Sequence, residues 1–111
     1  MVKVNVMRDK NGYIKGFTLE GHANAGDKGE DIVCAGVSAI VFTALGSLEQ
    51  LAGIRNDVLD DGRIEFSLPE NIEGKRLEKA DVILRTMIIG LEMIKSNPSY
   101  EKYISIVDEE A

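Results

Sequence analysis

The chain has no tryptophan, one cysteine, one histidine and two prolines in 111 residues. A single cysteine forms no intramolecular disulfide, so a disulfide framework is excluded. One Cys and one His also fall short of a structural zinc site, which typically takes four such ligands, and no metal or other cofactor is expected. The lone thiol points to a reducing compartment. Long uncharged apolar runs are scarce. The longest, Ile32 to Leu48, is broken by Gly, Ser and Thr and lacks flanking anchors, which predicts no membrane span. The first residues, MVKVNVMRDK, alternate polar and apolar instead of placing a basic region before an apolar one. No signal peptide is expected, and the predicted location is cytoplasmic. Positive charge is in deficit: 13 Lys and Arg stand against 19 Asp and Glu, a net charge of -6. That argues against a sequence-independent grip on nucleic acid, which needs clustered basic residues. It suits a basic partner such as a cationic peptide.

What is present fills one domain, residues 1–111, long enough to bury a core without staples. Val2, Val4 and Val6 alternate with polar residues, as a strand with one buried face does. Asp9-Lys10-Asn11-Gly12 is a turn with an Asn-Gly signal, and Tyr13 to Leu19 alternates again, giving a hairpin. After the loop from Gly21 to Glu30, a helix is predicted from Asp31 as N-cap to about Ala52, with Gly53 closing it. Val33, Val37, Ile40, Ala44, Leu48 and Leu51 form its apolar stripe. Ile32, Val41, Phe42 and Leu45 make the other side apolar too. Ile54 to Leu59 is a weaker strand, Asp60-Asp61-Gly62 a turn, and Ile64, Phe66 and Leu68 alternate in the next strand. A second helix spans about Lys75 to Ser96, with Leu77, Ala80, Leu84, Met87, Ile88, Leu91 and Ile94 on one face and Val82, Ile83, Ile89 and Met93 on the other. Asn97-Pro98 ends it. Tyr103 to Val107 suggests a last short strand, followed by an acidic tail expected to fray. The order is ββαββα with an extra C-terminal strand: an α+β fold with two hairpins and two long apolar helices packed on a sheet. Two layers leave part of each helix uncovered, which predicts a homodimer.

The chemistry-bearing residues gather in GHANAGDKGEDIVCAGVSA, from Gly21 to Ala39. With Asp31 as N-cap, Cys34 falls at the third helical position, where the first-turn N–H groups and the helix dipole favour a thiolate. His22 ends the second strand. If the loop folds back, imidazole and thiol pair and the ion pair favours the nucleophile further. Ser38, one helical turn after Cys34 on the same face, would support the sulfur or the substrate. Asp31 is available to cap the helix or to orient His22. Gly26 and Gly29 permit hinge geometries in the loop. The structural alternative is that Cys34 is core filler, since cysteine is among the most buried residue types. A phosphate site is disfavoured because no nucleotide-binding glycine pattern is present and Glu30 and Asp31 would repel an anion.

The same stretch resembles the signature of the ribosomal-processing cysteine protease family Prp. The resemblance rests on Gly21-His22-Ala23, Gly29, Asp31-Ile32-Val33-Cys34-Ala35 and Ser38, and extends over the whole chain in length and element order. It implies a homodimeric α+β endopeptidase that removes a short N-terminal extension from a large-subunit ribosomal protein, as ribosome maturation requires. It implies that His22 and Cys34 are the catalytic pair, with Asp31 and Ser38 supporting. Gly21, Ala23, Gly26 and Gly29 would belong to a substrate-binding loop that moves on binding. The implied partner is that N-terminal peptide, an apolar and aromatic segment with a basic flank, without direct contact to nucleic acid or membrane. The competing reading is a non-catalytic ribosome-associated binding or assembly factor with a structural Cys34. A narrow pocket would favour a hydrolase or transferase of small molecules.

Overall fold

A computed structural model describes the backbone of residues 1–21 and 28–110, and the side chains of these except 28–30. Strands β1 (Val2–Arg8) and β2 (Ile14–Glu20) form the first hairpin. Its turn is fixed by Asp9, whose carboxylate accepts from the N–H groups of Asn11 at 2.9 Å and Tyr13 at 3.0 Å. Helix α1 (Lys28–Ala52) follows, then the hairpin β3 (Asp57–Asp60) and β4 (Arg63–Ser67), helix α2 (Gly74–Lys95), a 3-10 turn (Glu101–Tyr103) and β5 (Ile104–Glu110). The five strands make one mixed sheet in the order β3-β4-β2-β1-β5, with β5 parallel to β1 and the other pairs antiparallel. This is the expected α+β arrangement, including the extra strand.

Alternation decides the sheet's two faces. Val2, Val4, Val6, Phe17, Leu19, Ile64 and Phe66 point into one core with α1 and α2. Phe17 and Phe66 lie directly across from each other, rings stacked with centroids 5.7 Å apart. The opposite face carries Lys3, Asn5, Thr18 and Glu65, with the Asn5 amide donating to the Thr18 hydroxyl at 3.4 Å.

Three boundaries differ from the sequence expectation. Helix α1 begins at Lys28, so Asp31 is an exposed residue inside the first turn and not the N-cap. Gly29, expected in the loop, belongs to that helix. Ile54 is not in a strand: it is buried in the connector, where its N–H donates to the Leu48 carbonyl around the left-handed Gly53. The C-terminal acidic segment does not fray. Asp108 to Glu110 pair with Val6 to Arg8, and the Arg8 guanidinium reaches Asp108 at 3.0 Å.

The helix faces are also redistributed. Val41 and Leu45 are buried in α1, while Leu51, placed in the predicted stripe, is 62% exposed. By length and composition Asp31–Ala52 is apolar enough to cross a membrane, contrary to the expectation drawn from its small residues. Here one side of it, through Val33, Val37, Val41 and Leu48, is spent on the core. The two helices approach closely where Gly90 faces Ile40; a Cβ on Gly90 would stand 3.2 Å from the Ile40 side chain.

Candidate active site

The site forms where β2 ends and α1 begins. Gly21 terminates β2 with φ +119°, and a Cβ there would collide with the carbonyl oxygen of Met1. Only glycine combines that backbone with so close an approach. The constraint fixes where the chain leaves the sheet, immediately before His22. His22, Ala23 and Gly26 lie outside the described residues.

Cys34 is half-buried and packs against the hydrophobic core from the second turn of α1. Its position revises the electrostatic argument made from sequence. The orphan N–H groups of a helix are its first four, and the dipole's influence falls off within the first turn. A helix starting at Lys28 places Cys34 beyond that turn.

Cys34, Ser38 and Phe42 occur at intervals of four, so they form one row along α1. Ser38 is half-buried and Phe42 is 50% exposed. Ser38 and Phe42 form one wall of an open space of about 240 Å³. Across from them the sheet supplies Leu19, Ile64 and Leu59, which are register partners on β2, β4 and β3. Gly21 also lines this space, and Asp60 and Arg63 stand at the hairpin turn. Arg63 is held by Glu20 at 3.2 Å. The structure thus brings together Gly21 and Ser38, and sets Cys34 one turn from Ser38. Phe42 and Leu59 were missed as site residues from sequence. The four-residue spacing after Cys34 signals Phe42; Leu59 reaches the site only through pairing of distant strands. Among the described residues, no group of three or more His, Cys, Asp or Glu side chains is placed to hold a metal ion.

Comparison with known proteins is consistent over nearly the full length. Residues 1–105 match the family described as cysteine protease Prp. The ribosomal processing cysteine protease Prp of Bacillus subtilis is 36% identical over 98 residues, covering 86% of this chain and 88% of that protein. The Prp of Staphylococcus aureus is 31% identical over 96 residues, covering 86% and 89%. Among solved structures, the S. aureus processing protease Prp in complex with a substrate peptide superposes with a TM-score of 0.85 at 27% identity, over 98% of this chain and 100% of that one. A Streptococcus mutans protein gives 0.84 at 27% identity, over 100% and 99%. With a family model matched over residues 1–105 and relatives of like fold and length, the chain belongs to the cysteine protease Prp family.

Proposed function

We propose that the protein is a cysteine endopeptidase that removes the N-terminal extension of a large-subunit ribosomal protein, with Cys34 as nucleophile and His22 as its acid–base partner. One observation carries the assignment: a family of cysteine proteases needs a catalytic cysteine, and this chain has one. A further solved relative, the S. aureus Prp with a covalently linked product peptide, superposes at a TM-score of 0.80 with 26% identity over 98% of this chain, in keeping with covalent catalysis.

The steps follow from the residue chemistry. The Cys34 thiolate attacks the scissile carbonyl carbon, and the carbonyl π electrons move to oxygen. Collapse of the tetrahedral intermediate expels the amine, which takes a proton from the His22 imidazolium. The acyl group remains on Cys34 as a thioester. His22, now neutral, removes a proton from water, and the hydroxide attacks the thioester carbon. The carboxylic acid and the thiolate separate, the acid gives its proton to solvent, and the thiolate–imidazolium pair is restored. Ser38 would steady the sulfur or the substrate from one turn away.

The protein would act in the cytoplasm as a homodimer. In support of the dimer, α1 and α2 leave an apolar groove of about 400 Å³ lined by Ile40, Leu51, Val82 and Ile83.

The test is cleavage of the precursor protein, read by intact mass. The wild type shortens the N-terminus, and Cys34→Ala lowers the rate by at least about a thousandfold, the scale of a lost nucleophile. If the wild type leaves a precursor that carries the extension intact, the binding-factor reading replaces this one.

A further inference from the structure

We infer that the outer edge of β5 is a docking site for an extended, basic segment of a protein partner, which adds to the sheet as a further strand. The site lies away from Cys34 and stands independently of the protease reading.

The backbone supplies the first observation. β3 ends the sheet on one side and β5 on the other. An edge strand presents a row of unpaired N–H and C=O groups, and proteins blunt it with short length, proline, lysine, bulges or a covering element. β3 is blunted by its length of four residues. β5 is seven residues long, ISIVDEE, with no proline or lysine. Its register with β1 runs without a bulge from Val2–Ile104 to Arg8–Glu110. Among the described residues its only strand partner is β1, and no other backbone hydrogen bond reaches Ser105 to Glu110. Alternate N–H and C=O groups therefore face outward and can pair with an added strand, the mode in which main-chain bonds give affinity and side chains give specificity.

Charge supplies the second. Asp108, Glu109 and Glu110 are all exposed. Arg8 engages Asp108 at 3.0 Å, whereas Glu109 and Glu110 form no ion pair among the described residues. Asp108 and Glu110 are register partners of Val6 and Arg8, and Glu109 of Met7, so acid stands on both faces of the strand. An anionic strand laid beside it is repelled, and one with successive Lys or Arg residues is attracted. Before the acids, Ile106 is partly buried and Val107 is 44% exposed, which suits apolar or β-branched neighbours. A second copy of this chain is a poor occupant, since it brings the same three acids and a net charge of -6. The complementary occupant is a strand-forming segment that ends in lysine or arginine.

Position separates this edge from catalysis. Lys3 pairs with Glu20, so the Val2 end of β1 lies beside the exit of β2 into the candidate site. Glu110 pairs with Arg8, six residues further along β1, about 20 Å away at ~3.3 Å per residue.

The experiment titrates the full chain with two synthetic peptides and follows backbone amide shifts by NMR. One peptide has four alternating threonines and valines followed by three lysines; the other is its reverse, which covers the opposite strand direction. At least one of them shifts the amides of Ser105 to Glu110, and its affinity falls as salt is raised. Glutamate in place of the lysines removes binding. Glu109→Gln combined with Glu110→Gln weakens binding several-fold, the scale of two exposed charge pairs, and both side chains are exposed, so β5 stays paired. N-methylation of alternate peptide nitrogens, made in both phases, separates strand addition from charge alone: the phase whose methyls face β5 loses binding and the other keeps it. Phases that bind alike overturn the inference, as do lysine peptides that leave the β5 amides unmoved. β5 shifts that arise on concentrating the protein by itself assign the edge to a second copy and overturn it too. Cleavage of the precursor is unaffected by Glu109→Gln with Glu110→Gln, so failure here leaves the protease reading in place.

Discussion

At the scale of single residues, one glycine shapes the candidate site as directly as Cys34 does. Gly21 holds φ at +119° against the Met1 carbonyl. In Gly21→Ala the new methyl meets backbone, which has no rotamer to yield, so β1 and β2 must separate locally. The expected loss is about 1–3 kcal/mol of stability, read from a denaturant midpoint. Activity should fall further than stability, because the displaced segment leads directly into His22. The thiol offers a second reading. If His22 activates Cys34, wild-type alkylation by iodoacetamide is fast at neutral pH and slows in His22→Ala. A structural Cys34 would resist the reagent until the protein unfolds. Ser38→Ala tests the neighbour one turn on: loss of a hydrogen bond to a charged group would cost about 1.5–3 kcal/mol in kcat/KM, and unchanged kinetics would remove Ser38 from the site. Residue types and spacing singled out Gly21, Cys34 and Ser38 from sequence, and the structure sets Gly21 and Ser38 on one space with Cys34 a helical turn away. The start of α1 was not, since Glu30 and Asp31 both favour a first helical turn and neither marks its edge. That error set Cys34 at the helix start, and the structure sets it in the second turn instead.

Among the elements, strands and helices were legible where one face is buried, and less so where both are apolar. The hairpins followed from alternation and turn residues. The stripe on α1 drifted, because Ile40 and Val41, or Leu48 and Leu51, are equally apolar and only the packing partner chooses between them. Sheet order was beyond reach, because the pairing of β1 with β5 joins the two ends of the chain. The contact between α1 and α2 yields a prediction with a definite sign. Gly90 lies inside α2, where glycine costs about 0.8–1 kcal/mol relative to alanine. A Cβ there meets only the outer atoms of Ile40, at 3.2 Å and beyond. The Ile40 side chain need give only by a few tenths of an ångström to accept it. Gly90→Ala should therefore stabilise the fold by about 0.5–1 kcal/mol, seen as a higher melting temperature. A lower one would mean that Ile40 is held too tightly to give way.

At the scale of the whole molecule, the two-layer fold covers only one side of its helices. Val82, Ile89 and Met93 on α2 are 62%, 61% and 69% exposed, and Leu51 on α1 is 62% exposed. Isolated exposed apolar residues are ordinary, but Leu51 and Val82 line a groove of about 400 Å³ between the same two helices, and Ile89 and Met93 follow Val82 at helical spacing along α2. A second copy is the partner whose chemistry matches, since a twofold axis sets the same apolar ridge and groove against each other. The net charge of -6 opposes self-association at long range and is screened at physiological salt, which leaves the short-range apolar contact to decide. Light scattering at micromolar concentration should therefore report a dimer. Ile89→Glu and Met93→Glu change side chains that lie on the surface of the monomer, so the fold should persist while the mass halves. Buried charge without a partner costs several kcal/mol at such a contact, enough to shift a micromolar dimer to monomer. A wild type that scatters as a monomer would show the groove to be solvent-facing. A dimer that survives both substitutions would place the twofold contact on another face and leave the groove between α1 and α2 free.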